Sequence, residues 1–182
     1  MAVRRIYTYP DAVLKVPAAP VTDIDGTLVE LLGDMAETMY AAPGIGLAAP
    51  QVGDGRRIVV LDVPAEEGGA ATGLLKLVNP EITERDGEIV WEEGCLSVPD
   101  FTAEVRRARR VLLRAWTPDQ KEIEIEAEDL FAVALQHELD HLDGTLFLDR
   151  LSRLKRELYR KRQKKQERLG REPVTRSRSH VI

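Results

Sequence analysis

Sulfur and aromatic rings are scarce in this chain. Its 182 residues include one cysteine, Cys95, with two tryptophans, three phenylalanines and four tyrosines. A single cysteine excludes an internal disulfide framework. It leaves Cys95 as a small buried hydrophobe, a nucleophile or a metal ligand. Histidine is scarce too: His137, His141 and His180 are the three. No apolar run approaches the roughly 20 residues of a membrane-spanning helix. No apolar stretch follows Arg4-Arg5, so the start does not read as a signal peptide. No internal repeat is visible. These absences argue against a membrane protein and a disulfide-stapled secreted one, and predict a cytoplasmic protein, expected to be monomeric and of a size for one core.

What is present is unevenly distributed. The net charge of −5 conceals 13 Lys+Arg against 28 Asp+Glu in residues 1–149, and 13 against 3 in residues 150–182. An acidic body to about residue 150 and a basic segment over 151–182 suggest two jobs, one involving an anionic surface. Leu28, Leu31, Leu32, Met35 and Met39 recur at helical spacing and predict a helix over 25–41, ended by Pro43-Gly44-Ile45-Gly46. Strands are predicted over 56–63, 74–78 and 87–91, with a surface loop from Pro64 to Gly73. Residues 105–116 and 121–126 read as two arms of a hairpin about Thr117-Pro118-Asp119-Gln120. The period turns helical from Asp129 to Leu142, with Gly144 as stop. A last helix is predicted over 149–169, carrying Leu151, Leu154 and Leu158, before a disordered stretch from Arg171 to Ile182. The order implies an α+β fold: mostly antiparallel strands around a central helix, with one helix at each end.

That central helix carries Gln136-His137-Glu138-Leu139-Asp140-His141. Histidines at i and i+4 lie one turn apart on one side and can reach one metal ion. Glu138, about 100° further round, can stand beside the ion without ligating it, as a base for water needs. Leu130, Val133 and Ala134 extend the same face; they are core, a pocket wall, or both. Catalytic sites of this kind use three protein ligands and leave one position for water. After His141 the sequence Leu142-Asp143-Gly144-Thr145-Leu146-Phe147 offers neither a thermolysin-like glutamate nor the third histidine of metzincins. His180 lies in the tail, so Cys95 remains. A thiolate with two imidazoles suits Fe2+, Zn2+, Ni2+ or Co2+.

Three short motifs stand in order: Gly44-Ile45-Gly46-Leu47-Ala48-Ala49-Pro50-Gln51, Glu93-Gly94-Cys95-Leu96-Ser97, and Gln136 to His141. In order and spacing, over about residues 3–165, the chain resembles the peptide deformylases. The resemblance implies an enzyme that removes the N-formyl group from formyl-methionyl nascent polypeptides, releasing formate by attack of metal-bound hydroxide. It implies Cys95, His137 and His141 as metal ligands, Glu138 as general acid and base, and the Gln51 amide with the Leu96 N–H as oxyanion donors. Gly44 and Gly46 would let the chain approach a peptide closely. Ile45, Trp91, Glu93, Gly94, Leu130, Val133 and Ala134 would line or rim the substrate site. The native metal would be Fe2+, with Zn2+, Ni2+ or Co2+ as substitutes in a purified sample. Residues 1–150 would form the catalytic domain, and the basic helix, through Arg156, Arg160, Lys161 and Lys164, would contact the ribosome. The competing readings are a zinc metallopeptidase, separable by assaying a peptide with and without its formyl group, and an RNA- or ribosome-binding protein with a vestigial metal site.

Overall fold

The computed structural model describes residues 2–65 and 70–168. Part of the Pro64–Gly73 loop, the stretch from Arg171 and His180 lie outside the described residues. In chain order the elements are α1 (Gly26–Ala41), β1 (Gly46–Ala48), β2 (Ile58–Leu61), β3 (Leu75–Asp86), β4 (Ile89–Cys95), β5 (Val98–Arg107), β6 (Arg110–Trp116), β7 (Glu122–Glu128), α2 (Asp129–Leu142) and α3 (Arg153–Arg168), with 3-10 turns before α1 (Ala12–Lys15), after β1 (Ala49–Val52) and before α3 (Phe147–Arg150). All strand pairs are antiparallel: one sheet has the order β1-β2-β3-β6-β7, the other pairs β4 with β5. The expected α+β arrangement around a central helix is what forms.

Local chemistry explains the boundaries. The Asp25 carboxylate accepts the Leu28 N–H at 2.8 Å and caps α1, whose Leu28, Leu31, Leu32, Met35 and Met39 are all buried. The β6–β7 hairpin turns over Thr117 to Gln120, closed by Gln120 N–H to Thr117 O at 3.0 Å. In β7, Ile123 and Ile125 pack inward while the glutamates face outward, where Arg110 meets Glu126. Gly144 leaves α2 in the left-handed region at φ +68°, the conformation a glycine stop allows.

Two expectations need correction. Residues 105–116 are not one arm: the chain leaves one sheet and enters the other at Ala108-Arg109. The cause is Gln136 on α2, whose side chain accepts the Ala108 N–H at 3.0 Å and donates to the Ala108 carbonyl at 2.8 Å. With both Ala108 groups committed to a side chain, the ladder ends there. The last helix begins at Arg153 rather than near Asp149, and the leucines it carries are not what seats it. Leu151 and Tyr159 are buried, whereas Leu154 and Leu158 are 68% and 57% exposed.

The buried apolar side chains form three clusters. One packs Leu130, Val133, Ala134 and Leu139 of α2 against the five-stranded sheet, and one lies under α1. The third holds Cys95, Phe147, Leu151 and Tyr159. Every residue of the α2 motif, Gln136 to His141, is buried.

Candidate active site

Cys95 at the end of β4 and His137 and His141 on α2 come together. One ligand atom from each lies within 4.8 Å of the other two, and all three side chains are buried. The Cys95 Sγ stands 3.2 Å from His141 Nε2. Sulfur and nitrogen bound to one tetrahedral ion stand about 3.5 Å apart, given Zn–S and Zn–N bonds of ~2.3 and ~2.0 Å. The residues therefore fit a metal. A second observation agrees: His137 Nε2 and both Glu138 carboxylate oxygens are buried without a hydrogen-bond partner. Leaving such groups dry and unpaired costs free energy that an ion and its water would recover.

The surroundings prepare these three side chains to hold an ion. His137 Nδ1 lies 2.8 Å from Glu93 Oε2, so the imidazole donates there and keeps Nε2 free as a ligand atom. Arg107 in turn grips Glu93 with Nε at 2.6 Å and Nη2 at 2.9 Å. Burial alone would raise the Glu93 pKa; the Arg107 and His137 hydrogen bonds overcome it and hold the carboxyl at about 2, an anion at neutral pH. Burial, then the charges of His137, Arg107 and Lys15, push His141 well below the usual imidazole value, toward the neutral form that ligates. Burial raises Cys95, aided by the Glu138 charge, and a cation would reverse this because a coordinated thiol is deprotonated. Burial first, then Glu93 and Asp140, raise Glu138 well above an ordinary carboxyl.

The first motif wraps the same spot. Gln51 is fully buried; its Oε1 accepts the Ala48 N–H at 2.8 Å. That fixes its Nε2 on the cysteine side, 3.8 Å from Cys95 Sγ and 3.2 Å from Ser97 Oγ. Gly46 abuts the glutamate so closely that a Cβ there would fall 2.4 Å from Glu138 Oε1, and one on Gly44 would fall 2.8 Å from Leu96 Cδ1. These glycines make room for the site's own side chains. Ile45, Leu130, Val133 and Ala134 share one apolar cluster, with Trp91 packed against it. Gly94 is buried beside Cys95 in β4. Glu93 is 0% exposed with both oxygens engaged, so its carboxylate serves the imidazole.

The profile of the Polypeptide deformylase family matches residues 3–157. The peptide deformylase of Thermodesulfovibrio yellowstonii is 52% identical over 162 residues, 89% of this chain and 97% of that protein. That of Syntrophobacter fumaroxidans is 50% identical over 165 residues, 91% of this chain and 96% of that protein. The chain belongs to the polypeptide deformylase family. Among solved deformylases, that of Legionella pneumophila superposes with a TM-score of 0.85 at 44% identity, covering 94% of this chain and all of that one. The Ehrlichia chaffeensis deformylase in complex with actinonin gives 0.86 at 40% identity, covering 92% and 99%. The chain is thus a hydrolase that removes N-formyl groups from nascent peptides, and no described helix is long and apolar enough to cross a membrane.

Reading the motifs missed several residues of this deformylase site. Arg107 sits in Arg106-Arg107-Ala108-Arg109-Arg110, a run that looks like solvated surface, yet it is 4% exposed. Only the alternation of β5, which turns Arg106 outward and Arg107 inward, could have revealed it. Ser97, two residues past Cys95, is buried with its Oγ 3.2 Å from Gln51 Nε2, and nothing in its motif announces that contact. Asp140, inside the α2 motif, links Arg107 to Arg150.

Proposed function

We propose that this deformylase cleaves the formyl amide of N-formyl-methionyl nascent chains with a divalent cation, Fe2+ in the cell, held by Cys95, His137 and His141. When bound, the cation supplies Lewis acidity and brings the ionisation of water toward neutral pH. Glu138 takes the proton from the attacking water and returns it to the departing amine, so one carboxyl acts as base and then as acid. Its raised proton affinity supports that task. Negative charge grows on the formyl oxygen, where the Gln51 Nε2 and the Leu96 N–H are the assigned donors. Formate and a free N-terminus result. The apolar cluster of Ile45, Trp91, Leu130, Val133 and Ala134 takes the methionine side chain, orienting the formyl group, while Gly44, Gly46, Gly94 and the backbone of Glu93, whose carboxylate is committed to Arg107 and His137, border the peptide.

The observation that carries this reading is the convergence of three ligand atoms within 4.8 Å beside an unpartnered, buried glutamate. Protein prepared without oxygen should release formate from a formyl-methionyl peptide and leave the unformylated peptide intact. Cleavage of the latter at a comparable rate would make the enzyme a metallopeptidase instead.

In this reading residues 1–150 form the catalytic unit, acting as a monomer in the cytoplasm, and the basic helix beyond docks on the ribosome. Arg160, Lys161 and Lys164 are exposed on α3. Arg156 is less free, since its Nη2 donates to the carbonyls of Asp149 and Leu151 at 3.2 Å each.

A further inference from the structure

Arg150 closes the 3-10 turn that joins the body to α3. Although its side chain is partly exposed, it turns back onto the body. Its guanidinium takes both oxygens of Asp140, with Nε 2.5 Å from Oδ2 and Nη2 on Oδ1. Asp140 Oδ2 also accepts Arg107 Nη1 at 2.7 Å. Arg107 spends its remaining nitrogens on Glu93, and Glu93 holds His137 Nδ1. A single file of ionic hydrogen bonds therefore runs Arg150, Asp140, Arg107, Glu93, His137. Its outer end is 43% exposed at the side chain and its inner members are 2% and 0% exposed.

The charges explain why the outer end matters. Two guanidinium and two carboxylate groups balance, and the Glu93 carboxylate held at the inner end fixes the His137 ring by its Nδ1, leaving Nε2 aimed at the sulfur side. Without Arg150, Asp140 keeps Arg107 as its one ion-pair partner among the described residues. Two carboxylates then compete for one guanidinium, and the pull on Arg107 is released at the Glu93 end that fixes the imidazole. We propose that Arg150 is a positioning residue for the reaction, setting the orientation of the His137 ring through Asp140, Arg107 and Glu93. The root of the C-terminal helix thereby becomes part of the metal centre's support. This rests on the deformylase reading above.

The test uses cobalt-loaded enzyme, whose visible absorption reports ligand geometry at the ion independently of turnover. Removing a direct partner of a ligand costs ~10–100-fold in metal affinity. Arg150→Ala, three bonds further out, should speed cobalt transfer to a chelator about fivefold, shift the absorption bands, and lower kcat about fivefold with KM within about twofold. Arg150→Lys, keeping the charge but not the fork, should fall between the two. Arg153→Ala removes an equal charge from an arginine 92% exposed at the side chain and should leave every readout at the wild-type value. Wild-type bands and release rate in Arg150→Ala would overturn the proposal, as would any equal change in Arg153→Ala. If Arg150→Ala does not fold, the lysine variant decides, and identity with wild type there overturns it. A wild-type protein that takes up cobalt without thiolate bands, or does not release formate, overturns the deformylase reading itself.

Discussion

At the scale of single residues, the site is organised by what is missing as much as by what is there. Gly46 gives up a side chain so that the Glu138 carboxyl can lie against the β1 backbone; a Cβ placed 2.4 Å from Oε1 has no room. Gly46→Ala must therefore push the carboxyl aside while leaving the sulfur and both imidazoles untouched. A misplacement of about 1 Å at a reacting group costs on the order of 100-fold, so kcat should drop by about that factor with metal content unchanged. Glu138→Ala should lose more, ~100- to 10,000-fold, again with the ion retained. Metal analysis beside steady-state kinetics reads both variants. Near-normal turnover in Glu138→Ala would remove it from the proton path, and near-normal turnover in Gly46→Ala would show that the carboxyl works equally well elsewhere.

At the scale of elements, the helices that combine a strong apolar period with a clear stop were legible from the chain alone: α1 and α2 stand within a residue of where periodicity puts them. The three side chains that converge were legible too, since chemistry demanded a third donor beside the two histidines and the only cysteine was available. What stayed hidden depends on partners distant in sequence. Nothing local in Val105 to Trp116 announces a break, because the break is made by Gln136 some 28 residues on. What seats α3 was hidden for a similar reason. Leucine at 151, 154 and 158 is a fair helical stripe, but the ground beneath the helix is aromatic. Tyr159 packs on Phe101 with ring centroids 4.8 Å apart and on Tyr9 at 5.7 Å. Tyr159→Ala should accordingly cost ~3 kcal/mol, in the range for losing a buried aromatic ring, and loosen α3 in amide exchange. Leu154→Ala and Leu158→Ala, at exposed positions, should each stay within ~0.5 kcal/mol of wild type in denaturant unfolding. The reverse ranking would mean that α3 packs through its leucines in solution.

At the scale of the whole molecule, charge is sorted along the chain: 28 acidic against 13 basic residues before Arg150, and 3 against 13 from there on. A phosphate-coated surface repels the body and attracts the helix, so approach is oriented with α3 leading. Ribosome docking through α3 then carries a quantitative signature. Each cation that displaces counterions from phosphate contributes ~0.7–0.9 to the slope of log K against log salt. Lys161 and Lys164 are the exposed cations to change, since Arg156 and Arg160 also serve the chain, the latter through Tyr9 Oη at 3.3 Å. Cutting off the helix would be a poorer test, because it would take Tyr159 with it and uncover Phe101 and Phe147. Lys161→Ala combined with Lys164→Ala should weaken co-sedimentation with ribosomes and lower the salt slope by about 1.5, while formate release from a short formyl peptide stays at the wild-type rate. An unchanged slope would place the docking surface elsewhere on the molecule. A slope lowered together with slower turnover on the short peptide would mean that the two lysines act on the catalytic body, which their exposure on the far turns of α3 argues against.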